Sequence, residues 1–379
     1  MSSYNYTLVR IWGIPIRINI SLIVFLPILA WLIGSGEQIA AYAEIINALT
    51  PATVDPADLD GANERWLIGI VAAVGLFASV TFHELGHSWA AMRYDIGVES
   101  ITLWILGGLA ALSEMPEEWN REFWIAIAGP ASSVLLGGLC IAALYVVPGE
   151  LTLVVFMLGF LAVMNIILAV FNMLPAFPMD GGRVLRALLA RNRSYVSATR
   201  MAARIGVAFA VLFVFVGVVV VFSPILLLLA LFIYVAATSE ARSVILGELL
   251  AGLTVEDLIA GSEPVDGESS LATLFDRMLG ARRSDLAVVD DQGAVTGVVT
   301  ASALRQVPLE AYDETRVASI ATTDLPRFDS ERSAFEALME LMSSRSDVAI
   351  VERDGMPVGI VSREDFTTVL NLRRDTGPF

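Results

Sequence analysis

The 379-residue sequence contains no lysine: all 24 basic residues are arginine, against 40 aspartates and glutamates. The net charge of −16 argues against nucleic acid as a partner, because binding a phosphate backbone requires a basic surface. Much of the acidity falls in residues 254–379, where 12 arginines stand against 23 acidic residues. Such a surface suits a cytoplasm of very high salt, so we expect a halophilic prokaryote, with codon bias in an ordinary acidic protein as the alternative.

Cysteine is almost as scarce as lysine. Cys140 is the one cysteine, which excludes an intrachain disulfide and a paired-thiol redox site. The first twenty residues also lack a basic stretch followed by a small-residue cleavage site. We therefore expect no removable signal peptide and a permanent anchor in the first hydrophobic segment.

Long apolar runs, in contrast, are abundant up to about residue 240. Hydrophobic residues make up 56% of the chain, and the mean hydropathy is +0.70. A run such as residues 207–222 cannot be placed in water, which excludes a single soluble domain. Six segments reach or approach the roughly 20 residues that cross a bilayer core: residues 18–35, 67–92, 125–147, 151–172, 202–222 and 224–239.

The placement of arginine predicts the orientation of these segments. Arg10 and Arg17 precede the first segment, and Arg242 follows the sixth. A cluster of arginines separates the fourth from the fifth, whereas residues 36–64 contain several acids and no arginine before position 65. Because positive residues stay on the cytoplasmic side, we expect a multi-pass protein of the cell membrane with both termini in the cytoplasm.

Two other regions have β-strand character. Residues 100–113 are apolar, interrupted by glycine and too short to span, which favours a β-hairpin dipping into the protein over an amphipathic cytoplasmic loop. From about residue 255, short strands alternate with helices in two similar units with a period near 60 residues. This repeat predicts a duplicated α/β module, with strands at 286–289, 295–299, 348–351 and 358–361.

The only two histidines lie in His83-Glu84-Leu85-Gly86-His87, inside the second apolar segment. Four-residue spacing puts both imidazoles on one helix face, where they can bind one ion, with Glu84 beside them to take a proton from water. Ionisable residues at membrane depth are costly and usually functional. The alternative is a pair of structural histidines near a helix end.

A catalytic zinc site requires a third protein ligand. No histidine remains, and the best candidate is Asp180, which follows two prolines after the fourth segment and precedes a glycine pair. The predicted topology brings Asp180 and the histidines to the cytoplasmic ends of their segments, so the three can meet. A turn at the membrane boundary is the alternative.

Together these motifs resemble the site-2 protease family of intramembrane metalloproteases. The family's later motif is matched at five positions, with Met179 where leucine is more usual, and the likeness covers residues 5–245. It implies that His83, His87 and Asp180 bind one Zn2+, that Glu84 is the general base, and that Asn172 holds substrate or stabilises the oxyanion. The matching positions, together with the family's glycine-proline element, are Asn172, Pro175, Pro178, Asp180, Gly181 and Gly129-Pro130.

The C-terminal repeats resemble a pair of cystathionine-beta-synthase (CBS) domains. We expect limits at 254–310 and 315–372, after a membrane domain of residues 1–245. In such pairs a Ser/Thr-x-x-Asp element often holds a nucleotide ribose: Ser362 and Asp365 form it in the second repeat, whereas the first repeat has alanine at the acid's position. The resemblance implies at most one adenine nucleotide, with a purely structural docking role as the alternative, and a homodimer through the CBS domains.

We therefore expect a polytopic α-helical membrane protein with about six transmembrane helices, a short β-hairpin insert and a C-terminal α/β CBS-pair domain. The expected activity is zinc-dependent hydrolysis of peptide bonds within transmembrane protein substrates in the lipid bilayer, regulated by the CBS pair. The alternatives are a CBS-regulated divalent-metal transporter that uses the same residues and a zinc-stabilised membrane scaffold.

Overall fold

The computed structural model describes residues 5–59, 61–105, 107–114, 116–259 and 263–376. The chain divides into two units, Met1–Ala241 and Arg242–Phe379. The first unit holds the long apolar helices, and the second consists of shorter strands and helices.

The first two elements are the antiparallel strands β1 (Asn5–Ile11) and β2 (Ile14–Asn19), which were not expected from the sequence. Trp12 and Gly13 connect them with φ angles of 53° and 83°. Positive φ at both central residues is what a two-residue hairpin turn needs, so this short connection closes the hairpin. The predicted first membrane segment is therefore wrong at its start, because residues 18 and 19 belong to β2.

The first apolar segment is not one straight span. Helix α1 (Ile20–Ile33) has 14 residues, which at 1.5 Å per residue covers about 21 Å of a core about 30 Å thick. It is followed by α2 (Gly36–Leu49), and the two helices are bent by 73°. Within the described residues, the predicted set of six spans thus corresponds to five long helices and this bent pair. A short 3-10 turn at Pro56–Leu59 follows the bent pair.

The next elements surround the histidine motif. Helix α3 (Ala62–Met92) carries it, and β3 (Val98–Trp104) and β4 (Gly107–Leu112) follow as an antiparallel hairpin. The predicted hairpin is confirmed, but it belongs to a four-stranded sheet in the order β1-β2-β3-β4. Strands β2 and β3 are parallel, and β4 lies at the edge of the sheet.

Five more helices follow among the described residues up to Leu250: four are long and apolar enough to cross a membrane, and one is short. The candidate spans have 21 to 27 residues, including the last, whose predicted end at residue 239 is too early. A short amphipathic helix, α6, lies between the second and third of them. The elements are α4 (Trp119–Leu144), α5 (Thr152–Asn172), α6 (Asp180–Ala190), α7 (Tyr195–Phe215, followed by a π-helical turn at Val216–Val220) and α8 (Pro224–Leu250).

The second unit contains two similar three-stranded sheets, in the orders β5-β6-β7 and β10-β9-β8. In each repeat the first two strands are parallel and separated by a helix, and the last two form a hairpin. The first repeat contains β5 (Val265–Asp266), α9 (Leu271–Ala281), β6 (Asp285–Val289), β7 (Val295–Thr300) and α10 (Ala301–Leu304). The second contains β8 (Arg327–Asp329), α11 (Ala334–Ser343), β9 (Val348–Arg353), β10 (Met356–Ser362) and α12 (Arg363–Thr376).

The two repeats share one apolar cluster. Val298 of the first repeat and Ile350 and Ile360 of the second belong to it and are almost fully buried. Burial of apolar surface from both sheets joins the repeats into one α/β unit. The predicted architecture, helical in the membrane part and α/β in the C-terminal part, is confirmed.

Candidate metal centre

His83 and His87 lie one turn apart on α3 and are both buried. Their imidazole centroids are 4.9 Å apart, and the two Nε2 atoms approach to 3.2 Å. The four-residue spacing on a regular helix places both rings on one face. The two Nε2 atoms therefore point to a common position.

Asp180 reaches this position from the other side. After α5 ends at Asn172, the chain turns back and α6 begins at Asp180, whose Oδ2 lies 3.1 Å from His83 Nε2 and 3.2 Å from His87 Nε2. The turn requires glycine next to the acid, because a Cβ on Gly181 would lie 2.3 Å from the carbonyl oxygen of Leu174. The structure thus brings together the three residues that the sequence suggested as ligands.

Helix α4 orients both imidazole rings. His87 Nδ1 lies 2.7 Å from the backbone carbonyl oxygen of Ile125, and His83 Nδ1 lies 2.9 Å from the hydroxyl of Ser133. A carbonyl only accepts, so His87 Nδ1 carries the proton and its Nε2 is left with a lone pair. Metal-binding histidines commonly use the second ring nitrogen in this way. Sequence reasoning missed Ser133, and the adjacent Gly129-Pro130 element was its only signal.

The donor set fits a zinc ion. Two imidazole nitrogens and a carboxylate oxygen, all from buried residues, lie within 4.8 Å of one another. Tetrahedral zinc with bonds of about 2.0–2.2 Å holds neighbouring ligand atoms about 3.3 Å apart, close to the 3.1–3.2 Å seen here. Gly129 keeps the space open, since a Cβ there would lie 2.2 Å from His87 Nε2.

A cavity of about 410 Å³ opens onto these three residues. Glu84 and Asn172 both line it, together with residues of β4 and with Arg183. Strand β4 approaches Glu84 so closely that a Cβ on Gly108 would lie 2.5 Å from Glu84 Cγ. One N–H of the Asn172 amide donates to the carbonyl of Leu168 at 3.0 Å, which leaves its other N–H unused by this bond.

The predicted nucleotide residues are placed differently. Ser362 lines a cleft of about 430 Å³ in the second unit, but Asp365 is not among the residues that line it. Asp365 Oδ2 accepts from the backbone N–H and the hydroxyl of Ser362, both at 2.8 Å. Arg283 donates to Oδ1 at 2.9 Å and to Oδ2 at 3.0 Å. Both oxygens of Asp365 are therefore already hydrogen-bonded within the unit.

The partner of Asp365 stays charged. Partial burial lowers the pKa of the Arg283 guanidinium, but hydrogen bonds to Asp365 and Asp285 outweigh this effect. They hold the pKa above its ordinary value. The guanidinium that joins the two repeats therefore keeps its charge at every physiological pH.

Comparison with known proteins gives matches over both units. The family model described as Peptidase family M50 matches residues 71–151 and 149–213, and the CBS domain model matches residues 255–310 and 317–371. Rip3 of Mycobacterium tuberculosis is 31% identical to this chain, covering 97% of it and 93% of Rip3. Zinc metalloprotease MJ0392 of Methanocaldococcus jannaschii is 28% identical, covering 98% of this chain and 97% of its own.

Among solved structures, the site-2 protease from Methanocaldococcus jannaschii is 32% identical, covers 63% of this chain and 96% of that chain, and has a TM-score of 0.42. The identity to Rip3 extends over nearly the full length of both chains. The two family models and the relatives aligned over nearly their full length confirm the resemblance to site-2 proteases and to CBS domains. The chain belongs to Peptidase family M50 and carries a pair of CBS domains at its C-terminal end.

Proposed function

We propose that this protein is an intramembrane zinc metalloprotease that hydrolyses peptide bonds within the transmembrane segments of membrane proteins. The observation that carries the proposal is the convergence of His83, His87 and Asp180 on one buried point beside Glu84. The relatives agree with it, since the names of both Rip3 and MJ0392 describe zinc metalloproteases.

His83, His87 and Asp180 would hold one zinc ion per chain and leave a fourth position open to the cavity. Zinc supplies Lewis-acid polarisation of a carbonyl and makes water more acidic. Glu84 lines the same cavity and would accept a proton from the attacking water, then deliver it to the leaving amine. Asn172 lines the same cavity and would donate its second N–H to the oxygen of the scissile carbonyl as that oxygen becomes negative.

The substrate would bind as an added strand. A transmembrane helix hides its backbone in internal hydrogen bonds, so the scissile bond is reached only after local unwinding. Strand β4 lies at the edge of its sheet and lines the cavity next to Glu84. Its backbone offers the unwound segment hydrogen-bond partners in extended form.

The test is Glu84→Gln, which preserves shape but removes the base. We expect zinc content to stay near that of the wild type while cleavage of a model transmembrane peptide falls by about 100- to 10,000-fold. His83→Ala and Asp180→Ala should lose zinc and cleavage together. Cleavage that survives in Glu84→Gln would contradict the mechanism.

The relatives do not favour the two alternative functions. A divalent-metal transporter or a zinc-stabilised scaffold has no need for the base Glu84, and the relatives' names describe proteases. Zinc binding by the wild type without any cleavage would be the result that favours them.

The CBS pair would regulate this activity. We place the limits of the membrane domain and the two CBS repeats at 1–245, 254–310 and 315–372. The cleft that Ser362 lines would be the site for one adenine nucleotide. Asp365 would contact such a ligand only after release from Arg283. We also propose a homodimer through the CBS domains, on the basis of the repeat. The arginine distribution supports cytoplasmic termini, and the acidic charge supports a high-salt cytoplasm.

A further inference from the structure

One face of α4 contacts both histidines of the metal centre. Ile125 binds His87 through its carbonyl, Gly129 leaves the space between the imidazoles, and Ser133 binds His83. These positions repeat at intervals of four residues, which align on one side of a helix. One turn before Ile125, the same helix carries Glu122, a buried carboxylate with no part in the proposed mechanism.

Glu122 binds Arg186, which lies on the helix that begins with Asp180. Arg186 is 1% exposed and Glu122 is 5% exposed. Arg186 Nε donates to Glu122 Oε1 at 2.7 Å, and Nη2 lies 2.5 Å from the same oxygen. The guanidinium also lies against the rings of Phe177 and Tyr195, at 5.0 and 4.8 Å from their centroids.

A second carboxylate holds the arginine from α8. Arg186 Nη1 donates to Glu240 Oε1 at 2.6 Å, and the Glu240 side chain is 32% exposed. Arg186 therefore connects α6 to α4 through a buried contact and to α8 through a partly exposed one. Arg186, which makes both contacts, lies six residues after Asp180, about 9 Å along the helix.

We propose that Glu122 and Arg186 are positioning residues that set the place of Asp180 in the metal centre. The proposal rests on the zinc-protease function above and adds residues that do not touch zinc or substrate. Helix α6 has only 11 residues and starts at the ligand itself, so its placement depends on contacts farther along it. Through Glu122, the helix that orients both histidines also orients the third ligand.

The buried ion pair restricts how helices α4 and α6 can pack against each other. A buried ion pair adds little net stability compared with apolar residues of the same size, but it allows few alternative arrangements of the helices that carry it. Loss of the negative partner would let α6 shift by a fraction of an ångström while remaining folded. Groups that hydrogen-bond a metal ligand directly typically contribute about 10- to 100-fold to metal affinity or activity, so this more distant pair should act at the lower end of that range.

The experiment compares Glu122→Gln with Glu118→Gln in the purified full-length protein. Glu118 lies one turn earlier on the same end of α4, and its carboxylate pairs with Arg121 at the surface. Glu122→Gln should shorten the half-time of zinc removal by 1,10-phenanthroline by about tenfold or more. It should also change the visible absorption of the Co2+-substituted protein and lower kcat more than it changes KM, while Glu118→Gln should match the wild type.

The outcomes separate this inference from the proposed function. Zinc release and Co2+ absorption do not depend on cleavage, so they decide the inference even if no peptide is cut. A folded Glu122→Gln variant with wild-type zinc release and Co2+ spectrum would overturn it. If Glu122→Gln fails to fold, Glu240→Gln replaces it: a smaller shift in the same two readouts supports the inference, and no shift overturns it.

Discussion

Asp180 in the first unit and Asp365 in the second are both buried, but their surroundings are opposite. Asp180 meets the Nε2 atoms of both imidazoles, and His87 Nε2 carries a lone pair because its Nδ1–H donates to the Ile125 carbonyl, so the cluster presents electron-rich atoms to a single point. Asp365 meets the N–H and hydroxyl of Ser362 and the guanidinium of Arg283, all of which are donors.

The difference shows what makes an acidic residue available to a ligand. A carboxylate among acceptors needs a cation to be stable in a buried place, whereas a carboxylate among donors is already satisfied. Asp180 therefore fits the proposed metal centre, which a cation would complete. Asp365 caps the start of α12 and connects two repeats, and it would serve a ligand only by exchanging partners.

Gly129→Ala should have the largest effect, and it tests the metal centre to which Asp180 belongs in this comparison. The new Cβ would lie 2.2 Å from His87 Nε2 and 2.7 Å from His83 Nε2, in the space between the two ligand atoms. We expect zinc affinity to fall by more than about 100-fold, beyond the usual effect of an outer-shell change. Metal analysis after dialysis against a zinc buffer measures it.

Gly138→Ala is the matched control on the same helix, because a Cβ there meets nothing within 4 Å. It should keep wild-type zinc content and cleavage. Equal zinc content in both variants would show that the ion does not occupy the point where the three side chains converge.

Ser133→Ala also tests the metal centre, and its expected effect is smaller. Removing the hydroxyl leaves His83 Nδ1 without its partner at 2.9 Å, so the ring orientation and basicity are less well defined. We expect zinc affinity to decrease by about 10- to 100-fold. Ser132→Ala should have little effect on zinc competition titrations, since its hydroxyl donates to backbone carbonyls rather than to an imidazole.

Asp365→Asn tests the other side of the comparison, the hydrogen bonds that hold Asp365 in the second unit. It should have the smallest and most local effect. Hydrogen bonds to a charged group contribute about 1.5–3 kcal/mol each, so weakening one should speed exchange of nearby amide hydrogens by about tenfold. Hydrogen–deuterium exchange of the segments around Arg283 and Ser362 measures it. Asp347→Asn, which weakens an exposed pair with Arg363, should leave exchange unchanged.

The opposite pattern would reverse the interpretation of Asp365. Unchanged exchange in Asp365→Asn together with lost ATP affinity would mean that the carboxylate serves a ligand rather than the fold.

Much of the membrane unit was predictable because its signals are long or unusual. Runs of 20 or more apolar residues identify spans by length alone, and the only two histidines stand four residues apart. The N-terminal strands were missed because they are short and their turn is Trp12-Gly13, which is not a common hairpin pair. The span starting near residue 224 was cut short at 239 because polar residues, including Glu240, follow within the same helix.

The partners of the site residues were beyond the sequence for a different reason. The pairs Glu122–Arg186 and Arg283–Asp365 join residues 64 and 82 positions apart. Which face of α4 meets α3 depends on tertiary packing that no local pattern records. The sequence indicates candidate ligands, and the three-dimensional contacts decide whether their atoms are free.

The pairing of Asp365 with Arg283 also has a consequence for how a sensor of this construction responds to concentration. If opening the single hydrogen bond from Arg283 to Asp365 Oδ1 costs about 2 kcal/mol, only about one molecule in thirty offers that oxygen at any moment. The apparent dissociation constant of a ligand that needs this oxygen is then about thirtyfold higher than its intrinsic value. Such a cleft would stay empty while its ligand is scarce and would fill only with an abundant metabolite. It would therefore report on the supply of that metabolite rather than on a rare signal.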